Sequence, residues 1–118
     1  MSTLNVSNIS DGTTTVGTSY VVNGSAKAWL YRSSGGLIET FGVSSYVDNS
    51  TGNYSYNLTS AMISANGHIS MPVCRTSDDR SASVIINSAS QFTSYSRDIS
   101  ANALEDSNIL AITHGDLA

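Results

Sequence analysis

An all-β domain, a small antiparallel β-sandwich of about seven to eight short strands, is the fold class this sequence predicts, and three observations carry that prediction. Runs of β-branched and aromatic residues recur with period two, as in residues 26–32 and 53–59. Between such runs lie "SSGG", "DNSTGN" and "RTSDDRS", built from residues that tolerate turns or hydrogen-bond their own backbone. Helical signals are nearly absent: only "TSAMISAN" (59–66) and "ISANALED" (99–106) could take a helical turn, and both read as connections. With 118 residues the chain has the length of one domain with a single modest core.

Taken in order, residues 1–18 read as a lead-in or attachment segment and 19–118 as the sandwich. A weak first strand is expected over 19–22, where Tyr-Val-Val is β-branched and aromatic. The next, 26–32, alternates Ala26, Ala28 and Leu30 on one face with Lys27, Trp29 and Tyr31 on the other, so both faces need cover. Strands over 37–47 and 53–59 flank Asp48 to Asn53, where Gly52 supplies the left-handed conformation of a hairpin loop. In the second of these, Tyr54, Tyr56 and Leu58 share a face, with the tyrosines expected half buried and their hydroxyls pointing outward. The strand over 68–75 contains Pro72, the only proline, which cannot donate to a ladder and marks an edge or a bulge. Strands over 83–87, 92–99 and 108–113 complete the set.

Composition narrows the function. Charged residues make up 12% of the chain and net charge is −4, which gives no basic footprint for nucleic acid. Roughly three residues in ten are Ser or Thr, so the surface is polar without being charged. No stretch approaches a membrane span and no signal-peptide pattern opens the chain, so a soluble product made in the cytoplasm, without membrane insertion, is expected. One cysteine, Cys74, cannot form an internal disulfide; stability must come from packing or association. The sequons at Asn5, Asn53 and Asn57 are the chance product of a chain rich in Asn, Ser and Thr.

Catalytic constellations are thin, and no enzymatic activity, metal or cofactor is expected. His68 and Cys74 lie six residues apart on one strand, about 20 Å at 3.3 Å per residue, too far for a dyad. Two histidines without a carboxylate at ligand spacing do not make a zinc site, and "TSDDRS" lacks the series of a calcium loop. Gly35-Gly36 opens no helix and forms no phosphate cradle. Glu39, Asp48, Asp78 and Asp98 could meet in space, but nothing around them singles out a glycosidase pair.

Several short matches in order, "GSAKAW" (24–29), "VSSYVDN" (43–49), "GNY" (52–54), "AM" (61–62) and "AN" (65–66), give the chain a resemblance to a module at the C-terminal end of bacteriophage tail-fibre and related tail proteins. The opening "NVSNISDGTTTV" and the terminal "HGDLA" are similar to that family's lead-in and terminus, while residues 70–106 match little. Departures stand at Leu30-Tyr31, Gly42 and Gly67. The resemblance implies a structural virion protein, a homotrimer attached to other phage virion proteins, with its tip turned to a host-surface glycan.

On that reading Lys27, Trp29 and Tyr31 are the subunit-interface candidates, because sealed rings with stems or hydroxyls at the rim suit a subunit contact. Core packing and direct receptor stacking are the alternatives for Trp29. Receptor-contact candidates are Asp48, Asn49, Tyr54, Asp78, Asp79 and Arg80, on the loops 48–53 and 75–81. Neutral hydroxyl and amide surfaces suit polysaccharides, and three copies multiply weak sites into avidity. A capsid decoration protein, head fibre or fibre adaptor with a purely structural role is the alternative function, and a depolymerase fragment a third class.

Overall fold

The computed structural model describes residues 1–33, 35–75 and 79–118. Its elements are β1 (Asn8–Ser10), β2 (Thr15–Gly17), α1 (Thr18–Gly24), β3 (Ala28–Ser33), β4 (Gly36–Phe41), β5 (Val43–Ser50), β6 (Asn53–Leu58), β7 (Ile69–Cys74), β8 (Arg80–Ser88), β9 (Gln91–Asp98), β10 (Ala103–Leu104) and β11 (Ile109–His114). Apart from a small β1–β2 hairpin, the strands form two antiparallel sheets that pack face to face, the all-β architecture the alternation predicts.

In the first sheet β9 is flanked by β8 on one side and by β6 on the other, with β5 beyond β6 and the short β10 continuing the β6 line. The second sheet runs β4-β3-β11-β7. Strand β7 is therefore an edge, and Pro72, opposite Ala111, sits where a missing N–H costs no ladder bond on its outer side. Between the sheets Tyr54, Tyr56, Leu58 and Phe92 meet Ala28, Leu30, Ile109 and Ala111, with Met62 closing one end. Tyr56 and Phe92 stack at 5.0 Å between ring centroids.

A chain of buried polar groups links the two sheets. His68 Nδ1 lies 3.0 Å from the Ser88 carbonyl, which can only accept, so that nitrogen carries the proton. In the neutral ring Nε2 then accepts from the Ser70 hydroxyl at 2.9 Å, and Ser70 Oγ accepts from Thr113 Oγ1 at 2.8 Å. His68 is thus a structural link between the sheets, set edge-on against Phe92.

Two expectations are corrected. Residues 37–47 are not one strand: β4 belongs to the second sheet and β5 to the first, and the chain changes sheet at Gly42, whose φ is 69°. Any Cβ there would run into the Lys27 carbonyl oxygen, so the corner requires glycine. Residues 19–22 are helical, within α1, rather than extended. Among the described residues no strand pairs with them, and their backbone bonds close locally, ending with Ser25 N–H donating to the Val21 carbonyl. Lys27 Nζ caps the same end by donating to the Val22 carbonyl, where a cation suits the helix dipole.

Residues 1–26 contribute no strand to either large sheet. Thr18 ties α1 to the hairpin through its hydroxyl, which donates to the Val6 carbonyl at 2.9 Å. The sandwich begins where Lys27 N–H donates to the Thr113 carbonyl at 2.8 Å.

Candidate interaction surfaces

Strand parity divides the second sheet into an inner and an outer face, and register aligns the outer residues into rows. One row crosses all four strands as Phe41, Trp29, Ile112 and Met71; the next reads Glu39, Tyr31, Leu110 and Val73. Ile69, paired with His114, extends the surface toward Lys27. Phe41, Trp29, Ile112, Met71, Leu110, Val73 and Ile69 are each between 38% and 58% exposed. Taking about 150–200 Å² per large side chain, they leave on the order of 600 Å² of apolar surface in water. That is at the top of the range tolerated by a monomer, roughly 300–600 Å², and such patches mark interaction sites.

The predicted interface residues fall on this face. Trp29 is 41% exposed at its centre rather than in the core, Tyr31 is half-buried beneath the Arg75 guanidinium at 4.5 Å, and Lys27 is half-buried at the lower rim, bonded to Ser25 Oγ at 2.8 Å. Core packing of Trp29 is therefore excluded for the single chain.

The outer face of the first sheet has the opposite character. Its rows hold Val47, Ser55, Thr93 and Ile85, then Ser45, Asn57 and Gln91. Amides and hydroxyls there bond one another across the strands. Asn49 Nδ2 donates to Ser55 Oγ at 2.8 Å, Ser55 and Thr93 hydroxyls meet at 2.8 Å, and Thr93 Oγ1 donates to Asn87 Oδ1 at 2.7 Å. Gln91 Nε2 donates to Asn57 Oδ1 at 2.8 Å. Asn49 and Asn87 are exposed and Asn57 and Gln91 half-buried, whereas Ser55 and Thr93 are buried, at 8% and 3% exposure.

Two of the receptor-contact candidates, Tyr54 and Arg80, are engaged by Asp106 and Glu105. Tyr54 is 3% exposed and cannot stack on a ligand, which corrects the expectation of a half-buried ring with an outward hydroxyl. Its hydroxyl donates to Asp106 Oδ1 at 3.0 Å, and burial together with this bond pushes its pKa up to about 12. Asp106 also accepts from Gly52 N–H at 2.7 Å, so the β5–β6 turn is braced rather than projecting. Arg80 is likewise engaged: it ion-pairs with Glu105 and lies 3.8 Å from Asp98, and the Glu105 bond is what raises its pKa. Asp48 and Asn49 are exposed on the edge strand β5, and Asp79 is exposed and accepts from the Ser100 hydroxyl. Asp78 lies outside the described residues.

One residue that strand-by-strand reasoning missed organises the interior beside Tyr54. Arg32 is fully buried, with Cζ 3.5 Å above the Tyr54 ring centroid. Its Nε donates to Tyr56 Oη at 2.9 Å, one Nη to the Ser33 carbonyl at 3.0 Å and the other to the Ser107 carbonyl at 2.8 Å. Parity was the available signal, since Arg32 continues the inward series Ala28 and Leu30.

Cys74, half-buried beside Ser107, has its thiol pKa raised by desolvation, which suits a packing residue rather than a nucleophile. Among the described residues no group of three His, Cys, Asp or Glu could hold a metal ion. Among the described residues no helix is long and apolar enough to cross a membrane. An open cleft of about 590 Å³ separates α1 from the C-terminal segment, lined by Val21, Val22, Lys27, Ile63 and Leu117. Compared with family models, curated proteins and solved structures, the chain matches none of them.

Proposed function

We propose that this chain is a non-enzymatic structural component of a bacteriophage virion, of tail-fibre type, which assembles as a homotrimer and offers its polar surfaces to a host-surface glycan. The observation that supports this reading is the apolar outer face centred on Trp29, which an isolated chain leaves wet and sister copies would seal. The neutral amide and hydroxyl ladder on the opposite side suits a ligand rich in hydroxyls, and exposed Asp48 and Asn49 lie at its margin. Light scattering at micromolar concentration tests the assembly: the mass of three chains is expected, with Trp29→Ser shifting it toward one. A heat-resistant monomer in the unsubstituted protein would overturn the reading.

The lead-in favours a second reading, a decoration protein or fibre adaptor. Helix α1 buries none of its residues, and Tyr20 and Val22 stand exposed on it, as a hook for another virion protein would require. Imaging of particles carrying labelled protein separates the two: many capsid positions indicate decoration, a tail tip indicates a fibre.

A further inference from the structure

Two apolar surfaces of this chain stand in water, and they are of similar size. The first is the outer face of the second sheet, on the order of 600 Å² around Phe41, Trp29, Ile112 and Met71. The second belongs to the N-terminal segment, residues 1–26, where Leu4, Val6, Ile9, Tyr20, Val21 and Val22 are each between 40% and 83% exposed. At about 150–200 Å² per large side chain, they too leave on the order of 600 Å² wet. Both surfaces are neutral at the centre. The row from Phe41 to Met71 contains no charged side chain, and Asp11 is the only one in residues 1–26.

The N-terminal segment buries little of its own. Strands β1 and β2 have three residues each and α1 has seven, sizes at which an isolated hairpin or helix is marginal in water. Helix α1 buries none of its residues, and its packing is against β2. The longest sandwich strand, β8, has nine residues and spans about 30 Å at roughly 3.3 Å per residue. The whole molecule measures 52 Å along its longest axis and 28 by 25 Å across, so the segment projects beyond the sandwich. Lys27, outward by parity just before β3, sets where it leaves. Its Nζ donates to the Val22 carbonyl and holds the end of α1 at the rim of the outer face, which stays uncovered in its own chain.

We infer that the N-terminal segment of one copy docks on the Trp29 face of the next, each copy giving a segment to one neighbour and receiving one from the other. This rests on the trimeric reading and deepens it by naming what seals the face. A ring so built uses every face once and every segment once, so neither surface is divided between two neighbours, and the contact is heterologous and closes. Each junction removes up to about 1,200 Å² of apolar surface from water, counted over both partners. That alone reaches the lower end of specific interfaces, about 1,200–2,000 Å². Since both centres are neutral, the contact buries no unpaired charge there.

Trp29 is the only tryptophan and stands at the centre of the contact, so its emission reports the face directly. In the assembled parent the emission should be blue-shifted and shielded from acrylamide, and both properties should be lost on dilution to single chains. Tyr20→Ser combined with Val22→Ser is expected to weaken association about tenfold or more and to unshield Trp29 where the parent is shielded. Ile85→Ser, at an exposed apolar position on the other sheet, should leave mass and emission as in the parent. A retained cooperative thermal transition shows that each sandwich is folded. Mixing adds a second test. Trp29→Ser spoils the face, keeps the segment and is silent in tryptophan emission. Added in excess to the Tyr20→Ser/Val22→Ser protein, it should restore shielding of that protein's Trp29 in a particle of two chains.

A parent that stays monomeric with Trp29 exposed would overturn self-association and the docking together. Tyr20→Ser/Val22→Ser chains that remain trimeric with Trp29 shielded would overturn the docking and leave the trimer standing; faces packed on one another, or a segment that serves a different virion protein, would give that result. Trp29 shielded at every dilution in a monomer would mean that the segment covers its own chain's face, and a mixture that restores no shielding would equally overturn the exchange.

Discussion

Replacing Arg32 by lysine keeps the charge and tests whether the fold depends on the guanidinium itself. The group is fully buried, donates to Tyr56 Oη and to the Ser33 and Ser107 carbonyls, and lies flat on the Tyr54 ring. An ammonium has no planar fork and cannot reach three acceptors on different sides while covering the ring. At least one, and at most two, of these buried acceptors would lose its partner, at about 1–3 kcal/mol each. Lost cation–π contact adds roughly 0.5–2 kcal/mol. The expected destabilisation is therefore about 1.5–8 kcal/mol, and with a urea m-value of about 1–3 kcal/mol/M the midpoint falls by at least about 0.5 M. Urea unfolding followed by circular dichroism at fixed protein concentration measures it, since association stabilises the folded chain by mass action. Arg32→Met, which removes the buried charge along with its bonds, should be tolerated better than Arg32→Lys. A lysine variant within about 0.5 kcal/mol of the parent would refute the view that the fork and the ring stack are used.

Glycine geometry separates two kinds of strain. Gly42→Ala combines a left-handed φ with a collision against the Lys27 carbonyl and should cost about 2–4 kcal/mol in thermal or urea unfolding. Gly12→Ala has a φ of 95° but open space around it, in a hairpin outside the sandwich, and should leave the main transition unmoved. The raised pKa of Tyr54 sets an alkaline limit: the folded state holds that proton more tightly, so its contribution is complete below about pH 10 and is lost as pH rises toward 12. The difference in stability between the parent and Tyr54→Phe should shrink over that window, and a difference that grows would contradict the assignment.

Much of the architecture was legible because strand alternation is a local property. Pro72 announced an edge, Gly52 announced its turn with a φ of 66°, and the inward and outward faces of residues 26–32 were readable from parity. What escaped depends on contacts remote in sequence. The exchange of sheets at Gly42 is invisible in a run whose alternation passes through the corner, since each half is a good strand by itself. Helix α1 has no ladder partner among the described residues, which no property of Tyr20, Val21 and Val22 reports. Tyr54 is more deeply buried than its strand implies because Asp106, 52 residues away, closes over its hydroxyl. Similarly, Trp29 was readable as lying on the face opposite Ala28 and Leu30, but its alignment with Phe41, Ile112 and Met71 exists only once the register is known.

That register exposes a contrast between the two sheets. An antiparallel sheet in a two-layer protein ordinarily turns one face to the core and one to water, and its strands alternate apolar with polar residues. The first sheet obeys: Tyr54, Tyr56 and Phe92 point inward, while on the other face Ser55 bonds Thr93 and Asn57 accepts from Gln91. The second sheet does not. Its central strands, "AWLY" in β3 and "ILAI" in β11, are apolar on both faces, the pattern of a sheet covered on each side. Within one chain only the inner face is covered, by the first sheet. The outer face, with Phe41, Trp29, Ile112 and Met71 aligned across it, keeps the composition of a covered surface while standing in water.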